Sequence, residues 1–404
     1  MASRVASVDS LRGLVIGLMV LVNTVAGVRG VPAFTQHLPR SVDGYSLADM
    51  IFPWFLFLVG VSLPLALGRS VAEGQRGAGL ARVIPRAAGL ILLGVIFVND
   101  DRIASDLTGL GDDAWLVSSV AAMAVLLAVR APDPTRTGVS GDLFPRWVKV
   151  LAAITLVALL VIYRGRTGSG RITWLRPSWW GILGLIGWAY FFGALAYLAS
   201  RGRLWLLVGL HVATVIVAIV TAEGFEGPLA LLRPLLSPHD MLGSLTGVVI
   251  AGAIAGVLLQ NRGERAWMWL GGWGLGLWIA GALLRPLHGY HKLESTEGWA
   301  LVAAGQASLL LALFHALLDR TDRRGGDRPA WQAPMAWLGA SGKNALLAYL
   351  LSELLYPLGQ LVDVSLTPGN RVGGTVAMLN AVAIAVLVLA IAALATRRRI
   401  FLRV

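Results

Sequence analysis

A chain of 404 residues that is 56% hydrophobic and only 14% charged leaves no stretch long enough for a soluble domain of ordinary size. Its net charge of +12 would suggest a nucleic-acid partner in a soluble protein. Here most of the arginine falls in short intervals between apolar runs, the pattern that sets membrane orientation, so no nucleic acid is expected. The absence of cysteine excludes disulfides, thiolate catalysis and cysteine metal sites.

Apolar runs near the roughly 20-residue spanning length recur from end to end. They predict an all-α polytopic membrane helix bundle of about twelve transmembrane helices (ten to twelve), forming one domain over residues 1–404. The spans fall in residues 11–28, 46–68, 83–99, 114–130, 147–163, 180–199, 203–222, 240–259, 267–284, 298–318, 335–356 and 375–396. The fourth, fifth and eleventh are short or interrupted by polar residues. Ser10 to Val28 opens the first span and no small-residue cleavage site follows, so no cleavable signal peptide is expected. The intervals 132–146 and 319–334, rich in Pro, Gly, Asp and Arg, read as loops. No internal repeat is evident. Tryptophans such as Trp54, Trp115, Trp147, Trp179, Trp180, Trp267, Trp299 and Trp337 mark span ends, as interfacial anchors do.

Placing the N-terminus in the cytoplasm puts the basic groups Arg69–Arg86, Arg130–Lys149, Arg201/Arg203, Arg262/Arg265, Arg320–Arg328 and Arg397–Arg403 inside. The acids Asp100, Asp101, Asp106, Asp112 and Asp113, and Glu223, Glu226 and Asp240, fall outside. The expectation is a multi-pass protein of a cell (inner) membrane with both termini cytoplasmic. The run Arg164, Arg166, Arg171 and Arg176 is the exception: it faces outward, where it attracts an anionic headgroup or glycan, or it marks a miscounted span.

The densest polar chemistry lies between the first two spans. Arg12 opens the first, and Asn23 stands eleven residues on, about 16 Å at 1.5 Å per residue, past mid-bilayer. His37 sits in the following outer loop and Asp49 at the outer start of the second span. The three can converge near one membrane face. An imidazole is a natural proton acceptor near neutrality, an asparagine amide can hold a developing oxyanion, and a carboxylate can orient the imidazole. On residue type alone, His37 can equally be a solvated loop histidine and Asn23 an interhelical hydrogen bond. Asp9 and Arg12, one turn apart, can be a capping pair.

SVDSLRG at 7–13, VN at 22–23, the histidine before a glycine at 37–44 and SLADMIFPWFLFLVGVSL at 46–63 resemble the heparan-alpha-glucosaminide N-acetyltransferase family, multispanning acyltransferases. Weaker echoes occur at 176–190, 240–259 and 339–354. The resemblance implies an integral membrane acyltransferase. It would move an acetyl group from cytoplasmic acetyl-CoA, a co-substrate, to an amino sugar or glycan acceptor on the far side of the lipid bilayer. By position it makes His37 the catalytic histidine and Asn23 the active-site asparagine, and it matches Asp49 to the Asp of the family's A-D-L signature. This chain departs in HLPRSVDG, two residues longer than the family's histidine-to-glycine spacing and lacking its tryptophan.

The phosphates of acetyl-CoA need cations on the cytoplasmic side. Candidates are Arg82, Arg86, Arg262, Arg265 and Lys343 with Asn344, where SGKN opens an apolar helix also holding Glu353. Each arginine can equally be a topology determinant, and Lys343 with Glu353 a structural ion pair. The outer stretch PLHGYHKLESTEGW offers His288, His291, Lys292 and Glu294 to an acceptor; no third ligand has metal spacing, so no metal is expected. His211 and His315 fall within spans and suit hydrogen bonds between helices. A homodimer is compatible with this organisation. A secondary transporter is the alternative, since twelve spans with both termini inside suit it equally on hydropathy.

Overall fold

A computed structural model describes residues 5–131, 141–225, 227–233, 236–319, 332–364 and 373–403. Arg136, Glu226, Arg320, Arg323, Arg324 and Arg328 lie outside the described residues, as does most of the two loop intervals.

Every expected span appears as helix. The principal helices are α1 (Ala6–Thr24), α2 (Leu47–Ala72), α3 (Arg76–Asn99), α4 (Asp112–Leu127), α5 (Arg146–Ile162), α6 (Gly181–Ala199) and α7 (Leu204–Ala222). They continue with α8 (Leu245–Asn261), α9 (Ala266–His288), α10 (Glu297–Phe314), α11 (Gln332–Gly342), α12 (Ala345–Leu361) and α13 (Gly374–Arg397). Among the described residues, nine helices are long and apolar enough to cross a membrane. The three expected spans that fall short are the interrupted ones. Helix α4 has only 16 residues, beginning at Asp112–Asp113 and yielding to strand β1 (Ala128–Arg130). Helix α5 has 17 residues and follows Pro145, whose ring suits only a helix start. The eleventh span is two helices, broken where Asn344 leaves helical backbone at φ −120° and ψ 44°.

The break is filled by side-chain chemistry. The Asn344 amide donates to the Ile400 carbonyl at 2.9 Å and accepts from the Leu402 N–H at 3.2 Å, acting as a strand partner for β5 (Ile400–Leu402). The other edge of β5 pairs antiparallel with β1, which also pairs with β2 (Gly141–Asp142). Near the same break, Lys343 lies 4.0 Å from Asp9, which pairs with Arg12 at 3.2 Å. Both ends of the chain therefore meet on one face. Helix α1 begins five residues earlier than expected because Asp319 caps it from another element, accepting from the Ala6 N–H at 3.1 Å and Ser7 N–H at 3.4 Å.

Helix α8 is the axis of the bundle. Every side chain from Leu245 to Leu259 is buried, and Gly and Ala recur through it. With lipid tails as apolar as leucine, close backbone approach must supply the packing that water expulsion supplies elsewhere. A β-carbon on Gly60 would lie 2.0 Å from the Val249 carbonyl oxygen, and one on Gly252 2.0 Å from that of Phe57. Neither helical backbone can yield locally, so Gly60→Ala is expected to cost on the order of 1–3 kcal/mol. The check is a lowered melting temperature in detergent, with Gly77→Ala, which meets nothing within 4 Å, as the neutral control.

The arginine run 164–176 lies between α5 and α6. Its first part forms a hairpin, β3 (Gly165–Arg166) against β4 (Ile172–Thr173), in which Arg166 pairs with Asp106 at 2.6 Å.

Candidate active site

Helix α2 starts with a capping box. The Ser46 hydroxyl accepts from the Asp49 N–H at 3.3 Å, and Asp49 Oδ2 accepts from the Ser46 N–H at 3.0 Å. The same oxygen takes the Ser46 hydroxyl at 3.0 Å and the Leu38 N–H at 3.3 Å, leaving Oδ1 for His37 Nδ1 at 2.8 Å. A carboxylate can only accept, so the imidazole proton is assigned to Nδ1 and the lone pair to Nε2. The Asp49 side chain is 3% exposed and that of His37 43%. The carboxylate is sealed in while the imidazole reaches outward.

Lys292, from the turn between α9 and α10, closes the cluster: its Nζ lies 3.1 Å from His37 Nδ1 and 3.2 Å from Nε2. Burial pushes the Lys292 ammonium down to about 8, against the upward pull of Asp49. Between about pH 8 and the ordinary value of 10.5, the unfolded chain keeps a proton that the folded protein has released. Stability attributable to Lys292 therefore rises with pH across that window. Thermal melts of the protein and of Lys292→Met at pH 7.5 and 10 should show the parent gaining relative to the variant. Equal shifts would refute it.

Two loops hold this arrangement. Gln36 clips the segment before His37 to the end of α1, accepting from the Gly27 N–H and donating to the Val25 carbonyl, both at 2.8 Å. Asp43 accepts from the Tyr290 N–H at 2.7 Å and from Arg285 at 3.0 Å; the first and then the second hold its carboxyl below the usual range. Arg40 pairs with Glu294 at 3.1 Å. The loop after α1 and the turn after α9 are thus laced together over Asp49.

The structure brings His37, Asp49 and Lys292 into contact, with Glu294 beside them on Arg40. Asn23 stands at the same end of α1, but its amide donates to Glu353 on α12 at 3.3 Å. Glu353 is therefore paired with Asn23 and Lys343 with Asp9, so the Lys343–Glu353 pair does not form. His288 contacts Glu297 at 2.9 Å and Glu223 at 3.2 Å, while the His291 backbone N–H binds Thr296. Arg82 and Arg86 are exposed on α3, with Arg86 over the Tyr190 ring at 5.3 Å, and Arg262 stacks on Trp269 at 4.2 Å near Arg265. None of these four is bonded to Lys343 or Asn344, whose amide serves β5. His211 makes the expected interhelical bond, to the Gly247 carbonyl at 3.1 Å, whereas His315 bonds Asp319 one turn along its own element.

Sequence reasoning named Lys292 only as an acceptor contact and passed over Gln36, Asp43, Arg285 and Tyr290. Only the capping-box pattern S-L-A-D signalled any of this bonding locally.

Beside the cluster lies a cavity of about 870 Å³ that includes Lys292 in its wall, with Phe52, Trp179, Trp180, Asp240 and Trp299.

Comparison with known proteins places these residues in context. A family model described as "Domain of unknown function (DUF5009)" matches residues 4–227, more than half the chain and all of the His37–Asp49 segment. The heparan-alpha-glucosaminide N-acetyltransferase of Mus musculus is 36% identical over 102 residues, and that of Homo sapiens 35% identical over 100. Each match covers 24% of this chain and 14% of the relative.

Proposed function

The chain belongs to the DUF5009 family, and from that premise and the geometry at His37 we propose that it is a membrane acetyltransferase. It carries an acetyl group from cytoplasmic acetyl-CoA to the amine of an amino sugar or glycan on the extracytoplasmic side. The observation that carries this reading is the 2.8 Å contact between His37 Nδ1 and the buried Asp49. It fixes the tautomer whose Nε2 accepts a proton. The names of the partial relatives support the reaction class.

The acceptor amine attacks the thioester carbonyl, forming the N–C bond, and its proton passes to His37 Nε2. Asn23 turns its amide from Glu353 to the carbonyl oxygen as charge develops there. The C–S bond then breaks, and the imidazolium of His37 returns that proton to the departing CoA thiolate, which restores the neutral imidazole. Asp49 balances the imidazolium that forms. Lys292 donates to Nε2 at rest and yields that position to the acceptor. The nucleotide end stays at the opposite, arginine-rich face, where Arg82, Arg86, Arg262, Arg265 and Lys343 supply positive charge; Asn344 supports that face through β5.

The test is release of CoA by the detergent-purified full chain given acetyl-CoA and glucosamine, with N-acetylglucosamine identified by mass. No CoA release with any amine offered would sink the reading. One feature favours the transporter alternative: the eleventh span is broken, and discontinuous helices are common in transporters. Uptake of labelled glucosamine into vesicles without CoA release would establish it.

A further inference from the structure

His239 stands in the helical segment Pro238–Ser244 that leads into α8, and both of its ring nitrogens face carbonyl oxygens. Nδ1 lies 3.0 Å from the Ala218 carbonyl on α7, and Nε2 lies 2.9 Å from the Glu294 carbonyl on the turn before α10. Nδ1 also meets the Thr221 hydroxyl at 3.2 Å, but that hydroxyl donates its proton to the Val217 carbonyl at 2.5 Å. A carbonyl only accepts, and a neutral imidazole carries a single N–H. Both contacts are therefore hydrogen bonds only when the ring carries two protons.

The Glu294 carbonyl belongs to the peptide that leads into Ser295, whose φ of 49° is left-handed. A residue with a side chain keeps that conformation only where its surroundings hold it. The turn itself is tight: the Ser295 N–H donates to the Lys292 carbonyl at 3.1 Å, and the Thr296 N–H to the His291 carbonyl at 3.2 Å. Lys292, two residues before Glu294, sets its Nζ 3.1 Å from His37 Nδ1. His239 thus ties α7 to the peptide that shapes this turn, through the backbone and separately from the Glu294–Arg40 pair.

Resting on the acetyltransferase reading, we infer that His239 is a positioning residue that holds the Lys292 turn over His37 only in its doubly protonated form, making transfer sensitive to pH at that end of the bundle. Loss of one proton leaves one N–H for two carbonyls, so α7 or the turn is released. The other titratable groups on the elements around it are mostly engaged elsewhere. His211 on α7 bonds the Gly247 carbonyl, Glu223 and Glu297 bond His288, and Glu294 bonds Arg40. Tyr190 and Tyr197 lie on α6, Lys292 on the turn itself, and Arg233 and Asp240 flank His239 in the chain. His288, with a carboxylate at each ring nitrogen, is the second imidazole near this turn and must be separated from the first.

The test is amide hydrogen exchange of residues 289–297 in the detergent-purified full chain without substrates, corrected at each pH for the intrinsic exchange rate. From pH 5.5 to pH 8, either side of the usual imidazole range, protection should fall about 10-fold, the worth of one hydrogen bond to a charged group. His239→Arg, a permanent cation with several N–H donors, should keep the higher protection at both pH values. His239→Leu, with no donor, should show the lower protection at both. Acetyl transfer gives a second readout, taken as the ratio of variant to parent because His37 also gains a proton in acid. For His239→Leu that ratio should be about 1 at pH 8 and about 0.1 at pH 5.5, expressed in kcat, with the acetyl-CoA KM unchanged. A pH dependence that persists in His239→Arg, or a His239→Leu ratio equal at the two pH values, would overturn the assignment. Should His239→Leu fail to fold, exchange in the parent and in His239→Arg decides alone. Protection that follows His239 and pH, with no CoA release from the parent, would instead overturn the acetyltransferase reading and leave a pH-dependent turn.

Discussion

His37→Ala should lower acetyl transfer by about 10²- to 10⁴-fold, the usual contribution of a positioned general base, and leave acetyl-CoA affinity unchanged. The affinity should survive because His37 sits on the loop side of α2 and the proposed nucleotide contacts sit at the other end of the bundle. Its side chain is 43% exposed, so truncation leaves no cavity and the fold should persist. Added imidazole should restore part of the rate by entering the vacated space beside Asp49. Transfer by the purified variant at the parental rate would remove His37 from the chemistry.

Asp49→Asn should be nearly as damaging, for a different reason. The replacement amide can donate to Nδ1, which moves the ring proton to Nε2 and takes away the lone pair that accepts from the acceptor; in a histidine triad the equivalent exchange costs about 10⁴ in rate. The substitution also disturbs the capping box at Ser46 and the Leu38 N–H contact, and loss of such a cap costs about 1 kcal/mol. A melting temperature lowered by a few degrees, with transfer nearly abolished, is the expected pair of readouts. A variant that melts normally and turns over normally would show the 2.8 Å contact to be only a cap.

What was legible in the sequence follows the range of the interactions. Helix positions come from local apolar runs: all twelve expected stretches are helical, but among the described residues nine helices are long and apolar enough to cross a membrane, and the other three stretches are short or broken where the sequence is polar. His37 and Asp49 are twelve residues apart and share a motif, so their meeting could be read from the strand of residues alone. The contact of Lys292 with His37 spans 255 positions, that of Asp43 with Tyr290 247, and that of Asn23 with Glu353 330. No periodicity carries such pairings. Asn344 shows the opposite difficulty: a polar residue beside a lysine at a helix start reads as an anion contact, whereas both ends of its amide are spent on the backbone of β5. The tryptophans were ambiguous for a third reason, because an interfacial ring and a ring lining a cavity at the same depth have identical hydropathy.

That use of Asn344 sets an order on biogenesis. The gap between α11 and α12 can be closed only by residues 400–402, which emerge from the ribosome after α12 and α13 have both been delivered to the bilayer. Until then Asn344 carries an unpaired amide at the face where both chain ends meet, and membrane quality control has an exposed polar flaw to detect in any copy whose tail fails to arrive.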